Sequence, residues 1–93
     1  MEQARNVVGA VIRRTRNALG VSQERLTIEC ARLGFSLARG TLAKIESQIR
    51  GVSDIELFVI AAALKVPVAD MYPKTLKKDL RQDKIGPFHI RRS

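Results

Sequence analysis

The chain has 93 residues, a mass of 10.4 kDa, and 17 Lys and Arg against nine Asp and Glu, which gives a formal net charge of +8. This length supports one compact domain and excludes a second full domain. The excess of positive charge points to a polyanionic partner, with nucleic acid as the first candidate. Aromatic residues make up 4% of the chain, which is too few for a single-strand binder built on stacked aromatic side chains.

The reactive side chains predict a protein without a metal, a cofactor or a catalytic site. Cys30 is the single cysteine, and with only His89 beside it the chain has too few soft ligands for a closed zinc site. His89 has no matching Asp, Glu or Ser group that would form a catalytic constellation. The longest hydrophobic run, residues 57–64, is far shorter than the ~20 residues of a membrane-spanning helix. We therefore expect a cytoplasmic protein that is not an enzyme.

Apolar residues at helical intervals predict two helices in the first third of the chain. The first covers residues 5–19, and Gly20 is placed to end it as a C-terminal cap. Ser22 is placed to cap a second helix over about residues 23–33. Cys30 lies on the apolar face of this second helix, so we interpret it as a small core residue.

Three further helices are predicted, and no strand pattern interrupts the series. The third covers about residues 39–48, and Ser53 with Glu56 forms a capping-box pattern at the start of the fourth. Pro67 is predicted to be the first residue of a short fifth helix that ends near Met71. Such short helices must pack together, which predicts an all-α bundle. The predicted core contains Leu19, Leu26, Leu33, Leu42, Ile45, Leu57, Ile60 and Leu64, with Ile49 also turned inward.

Positive charge is concentrated at the end of the chain. Residues 1–73 carry a net charge of +3, and residues 74–93 carry +5. We therefore predict a helical domain over residues 1–73, followed by a basic C-terminal tail over residues 74–93.

Four short stretches of sequence fall in order on the predicted helices. They are Val21-Ser22-Gln23-Glu24-Arg25-Leu26, Arg39-Gly40-Thr41-Leu42-Ala43-Lys44-Ile45-Glu46, Val52-Ser53-Asp54-Ile55-Glu56-Leu57 and Ala62-Ala63-Leu64-Lys65-Val66. Together they resemble the Cro-type, lambda-repressor-like helix-turn-helix family over roughly residues 7–72. The resemblance implies a compact five-helix bundle that binds double-stranded DNA in a sequence-specific manner and regulates transcription, with residues 39–48 as the recognition helix in the major groove.

The chain departs from this family at two places. Gln23 and Glu46 are 23 positions apart, so the link between the second and third helices must be longer than a tight turn. Gln48 stands where the family commonly has glycine, and a left-handed conformation carries a modest steric cost for glutamine. We therefore expect the third helix to continue slightly further.

The residues expected to contact DNA follow from the resemblance and from their chemistry. Arg39, Thr41 and Lys44 offer hydrogen-bond donors to guanine N7 and O6, and Gly40 removes a side chain at the closest approach. Gln23 is expected to contact a phosphate. The alternative is that Arg39 and Lys44 form a solvated face. Arg50 is likewise either a backbone contact or an exposed loop residue, so the expected DNA-binding set is Gln23, Arg39, Gly40, Thr41, Lys44 and Arg50.

The resemblance also implies an ion pair between Arg16 and Glu46, which would join the first and third helices. A partly buried carboxylate is tolerable only if it is paired. We further expect a homodimer, because one recognition helix reads only a few base pairs. The predicted interface consists of the apolar residues Val68, Met71 and Tyr72 after the fourth helix, and the tail from Leu76 to Ile90 could contribute to it.

Two other functions remain open from the sequence. The chain could be an antitoxin-like protein-interaction module that binds a protein partner through residues 74–93. It could also be a basic RNA-binding protein, for which duplex DNA would compete poorly.

Overall fold

A computed structural model describes residues 5–76, and this part of the chain is all-helical, as predicted, with no strand. Four α helices are followed by a short 3₁₀ helix. They are α1 (Gly9–Ala18), α2 (Gln23–Arg32), α3 (Arg39–Glu46), α4 (Asp54–Leu64) and the 3₁₀ helix (Val68–Met71). Within the described residues, no helix is both long and apolar enough to cross a membrane. Most of the predicted basic tail, residues 77–93, lies outside the described residues, and so do the expectations placed on it.

Local capping explains several of the helix ends. Ser22 accepts a hydrogen bond from the backbone N–H three residues ahead, and Ser53 and Glu56 form the reciprocal capping box. Gly20 and Gly34 follow α1 and α2 with φ angles of 72° and 91°, a left-handed conformation that glycine adopts without steric cost. The predicted caps are therefore confirmed.

Three predicted boundaries were wrong. The first helix begins at Gly9, with Val8 as an N-cap residue that makes no side-chain cap, and the Asn6 side chain before it accepts a hydrogen bond from the Gly9 N–H at 2.6 Å. The third helix ends at Glu46 and does not continue, because Gln48 takes the left-handed conformation with a φ of 66°. Pro67 precedes the 3₁₀ helix and is not its first residue.

The core matches the prediction except where a helix has just ended. Leu19 and Leu33 are the C-cap residues of α1 and α2, and they are 52% and 55% exposed. Ile49 lies beyond the end of α3 and is also exposed. Met71 was expected on the surface but is fully buried, which corrects the predicted dimer interface. The buried core is formed by Val8, Val11, Ile12, Leu26, Cys30, Leu37, Leu42, Ile45, Leu57, Ile60, Ala61, Leu64 and Met71.

The helices pack in a series in which α3 joins α1 to α2. Helix α3 packs on both of these helices, whereas α4 packs on α2 and on the 3₁₀ helix. The link between α2 and α3 is longer than a tight turn, as expected. Within it Leu37 is buried and Phe35 packs against the core. This link therefore holds the start of α3 through apolar contacts.

Candidate nucleic-acid interface

A buried ion pair joins the C-terminal end of α3 to α1, as the resemblance implied. The Arg16 Nε donates to the Glu46 Oε2 at 2.7 Å, and the Arg16 Nη2 donates to the Glu46 Oε1 at 2.9 Å. Only 9% and 3% of the two side chains are exposed. The hydrogen bond to Glu46 raises the pKa of the Arg16 guanidinium, although burial opposes this.

The same cluster includes the start of α2. The Arg16 Nη1 donates to the Val21 carbonyl oxygen at 2.7 Å, and the Gln23 Nε2 donates to the Glu46 Oε1 at 3.1 Å. Each oxygen of the Glu46 carboxylate therefore accepts at least one hydrogen bond, as a buried charge requires. One cluster ties together α1, the beginning of α2 and the end of α3. The Gln23 amide, which was expected to contact a phosphate, is used inside the protein.

Asn6 forms a second anchor at the same end of α3, which the sequence analysis missed. Its Nδ2 donates to the Ile45 and Arg50 carbonyl oxygens at 3.1 Å and 2.7 Å. Gly9 lies so close to α3 that a methyl group there would overlap the Ile45 carbonyl oxygen. The Gln48 Nε2 donates to the Asn6 carbonyl oxygen at 3.0 Å, which helps to hold Gln48 in its left-handed conformation. The contacts of Asn6 with Ile45 and Arg50 join residues about 40 positions apart in sequence, so no local sequence pattern signals them.

The opposite end of α3 is exposed and polar. Arg39, Gly40 and Lys44 are exposed, and Thr41 is half-buried. The four ion pairs found within residues 5–76 involve neither Arg39 nor Lys44. The N-cap residue, Ala38, forms no side-chain cap, so it supplies no side-chain acceptor for the first N–H groups of α3. These N–H groups and Arg39 lie at the N-terminal end of α3, whereas Lys44 is exposed in its last turn.

Arg50 lies apart from this exposed end and is engaged in a different contact. Its Nη1 and Nη2 donate to the Glu56 Oε1 and Oε2, both at 2.9 Å. The hydrogen bond from Arg50 lowers the pKa of the Glu56 carboxyl group, and burial opposes this. The side chain of Arg50 is 38% exposed, so it is accessible to a phosphate only in competition with Glu56.

A basic groove runs between α1 and the end of α3. Arg13, Arg14 and Asn17 line it from α1, and Ser47 lines it from the residue after α3. Arg13 and Arg14 are exposed. The sequence analysis did not place these arginines in the site. Only the packing of α1 on α3 brings them beside α3.

Comparison with known proteins gives no match: no family model, no curated protein and no solved structure matches the chain. The functional conclusion therefore rests on the residues of the site and on the resemblance of its motifs.

Proposed function

We propose that the protein is a sequence-specific, double-stranded DNA-binding transcriptional regulator of the lambda-repressor-like helix-turn-helix type. One observation carries the proposal: α3 is anchored at its C-terminal end, its N-terminal end exposes Arg39 and carries no side-chain cap, and Lys44 is exposed in its last turn. A recognition helix needs both properties, because it must be held rigidly while its exposed end reads base edges.

The dimensions and chemistry of α3 suit the major groove. A helix of about 10 to 12 Å diameter fits a groove about 12 Å wide. Arg39 would donate two hydrogen bonds to a guanine, and Lys44 would supply a point charge from the last turn of α3. A Cβ atom added at Gly40 would have no described neighbour within 4 Å, so the backbone of α3 can approach the DNA closely there.

Phosphate contacts would come from two places beside α3. The first N–H groups of α2, apart from that of Arg25, which donates to the Ser22 side chain, would bind a phosphate, whereas the Gln23 side chain stays with Glu46. Arg13 and Arg14 in the basic groove add positive charge on the α1 side. Such contacts position the protein without selecting a base.

Selection of bound sequences from a random duplex pool at physiological salt tests the proposal, and enrichment of a motif is the expected result. On the enriched site, Arg39→Ala should weaken binding by about 1 to 3 kcal/mol and relax the choice of base at one position. Arg32→Ala removes an exposed arginine of α2 that we do not place at the interface, and it should leave binding unchanged.

The arginines of the groove should behave differently from Arg39. Replacing both Arg13 and Arg14 by Ala should weaken binding to all duplexes together and reduce the salt slope by roughly 0.9 for each phosphate that is no longer bound. A pool from which no motif is enriched, or tighter binding to single-stranded RNA than to duplex DNA, would reject the proposed function.

A further inference from the structure

An apolar groove lies between α1 and the last residues that the structure describes, and we call it the Tyr72 groove. Its volume is about 820 Å³. Val11 and Thr15 form its wall on α1, and Ala69, Tyr72 and Leu76 form much of the opposite wall. Tyr72 is 41% exposed and Ala69 is also exposed, so this surface is accessible to an occupant. A concave, mainly apolar surface is the usual form of a binding site, and this one takes no part in the proposed contacts with DNA.

The sequence beyond the groove contains one segment that matches its chemistry. Residues 85–90 are the longest stretch after Pro73 without Lys, Arg, Asp or Glu. This stretch groups three large apolar side chains, Ile85, Phe88 and Ile90, within a tail that is otherwise strongly charged. Removal of such side chains from water is favourable, and it requires an apolar surface that receives them.

We propose that residues 85–90 bind in the Tyr72 groove of their own chain. Phe88 is the main anchor and packs beside Tyr72, because two aromatic rings gain more from contact than their buried area alone provides. Pro87 favours the fit, since it has no N–H group that would lose a hydrogen bond to water on entering an apolar groove. The segment thereby covers apolar surface that the described helices leave exposed.

The connection between the groove and the segment favours the chain's own residues as the occupant. Leu76 lines the groove, and Ile85 follows it by nine positions. A chain spans at most about 3.5 Å per residue, so Ile85 lies within roughly 32 Å of Leu76 in any conformation. A short tether gives an effective concentration on the order of millimolar, so a modest apolar contact is enough to fill the groove. Segments from other molecules at micromolar concentration compete poorly with it.

The charges around the groove agree with this occupant but contribute little. Asp70 is exposed on the groove wall, and the segment is flanked by Lys84 and Arg91. Lys74 lies on the same wall and is also exposed, but residues 85–90 carry no Lys or Arg for it to repel. Because exposed ion pairs are weak, apolar contact is the main driving force.

The inference goes beyond the proposed function, since this contact forms without DNA. It also bears on the antitoxin-like alternative, in which the tail binds a protein partner. A segment held in the Tyr72 groove has to leave it before it reaches such a partner, so the groove would compete with the partner for the tail.

Fluorescence of the full chain without DNA tests the inference. The chain contains no Trp, so Phe88→Trp introduces a single probe into the segment. In the groove this probe should emit at a shorter wavelength, and be quenched less by acrylamide, than the probe of Ser93→Trp. Ser93 is the matched position, because it belongs to the same tail but lies outside the segment. Ile90→Trp provides a second probe if the larger ring does not fit at position 88.

Arginines placed in the groove should release the probe. In the Phe88→Trp chain, Ala69→Arg and Thr15→Arg obstruct the groove from opposite walls, and each should shift the emission to that of Ser93→Trp. Ala62→Arg is the matched control, because Ala62 is an equally exposed alanine of α4 that does not line the groove, and it should change nothing. Circular dichroism checks that the helices persist, and Thr15→Arg decides the result if Ala69→Arg alters the spectrum.

Three results would overturn the inference. The first is equal exposure of the probes at positions 88, 90 and 93. The second is a protected probe that neither groove variant releases, which would place the segment elsewhere. The third is a probe that becomes exposed on dilution over a roughly hundredfold range below millimolar, since a contact within one chain does not depend on concentration. Because DNA is absent throughout, none of these results depends on the proposed function.

Discussion

The two ends of α3 are built in opposite ways. At its C-terminal end, a buried ion pair, the Asn6 amide and the close approach of Gly9 fix the helix to α1. At its N-terminal end, Arg39 and Gly40 are exposed and no side chain caps the helix. The difference shows that the polar side-chain contacts of α3 are concentrated at its C-terminal end, where the helix packs on α1. The end proposed to meet DNA is left available.

The largest loss of stability is expected when the buried ion pair between Arg16 and Glu46 is broken. Arg16→Met and Glu46→Gln should each reduce the free energy of unfolding by about 3 to 5 kcal/mol, because each leaves a buried partner without its counter-charge. Chemical denaturation at pH 7 measures the loss. Arg50→Met, which removes one partner of the more exposed pair, should lose much less stability than either variant of the buried pair. Equal losses at the two pairs would show that burial does not distinguish them.

Two glycines provide the second test. Gly9 packs against the C-terminal end of α3, and Gly40 lies in its first turn. Gly9→Ala should lose about 1 to 3 kcal/mol of stability, since the added methyl group overlaps the Ile45 carbonyl oxygen and must push α1 away from α3. Gly40→Ala should raise stability by roughly 0.5 to 1 kcal/mol, because alanine is the better helix former and meets no described neighbour. Thermal melts compare the two variants. A lower melting temperature for Gly40→Ala than for Gly9→Ala would contradict the difference between the two ends of α3.

Asn6 provides a third and smaller test. Asn6→Ala should lose about 1 to 2 kcal/mol, because it removes the acceptor of the Gly9 N–H and leaves the buried Ile45 carbonyl oxygen without this donor. Asn6→Asp keeps the acceptor for the Gly9 N–H but loses the donor, so it separates the two roles. Chemical denaturation compares both variants with the wild type. If Asn6→Asp is as stable as the wild type, the hydrogen bond to Gly9 alone explains the residue and the anchor to α3 contributes nothing measurable.

The smallest expected effect is a pH dependence at Glu56. Its pKa is lower in the folded protein than in the unfolded chain, so its stabilising contribution is present above the ordinary value of about 4.3 and is lost as the pH falls through the lowered value. Glu56→Gln should therefore be less stable than the wild type by under about 1 kcal/mol at pH 7. Denaturation curves should show this gap closing at acidic pH. A difference in stability that grows as the pH falls would contradict the lowered pKa of Glu56.

The sequence predicted those parts of the fold that local rules determine. Ser22, Ser53 and the two glycines at 20 and 34 mark helix ends because capping and left-handed turns depend on neighbouring residues only. The helical intervals also identified most of the core. Leu19 and Leu33 were misjudged for one shared reason: each stands where the helix ends, so the periodicity that predicted burial no longer applies.

The parts of the site that depend on distant contacts were less predictable. The ion pair between Arg16 and Glu46 followed from the resemblance, and periodicity alone would not have given it. Asn6 and Gln48 lie 42 positions apart in sequence, so their contact and the early end of α3 could not be inferred from local patterns. The position of Arg13 beside α3 likewise depends on how two helices pack.

The buried thiol of Cys30 can be used to measure how often the core around α2 opens. Cys30 is fully buried, and burial raises the pKa of its thiol above the ordinary value, so little reactive thiolate is present or accessible in the native state. It is also the single cysteine of the chain. A disulfide reagent can therefore label the folded protein only when the core around α2 opens transiently, and the labelling rate reads the free energy of that opening without any introduced probe.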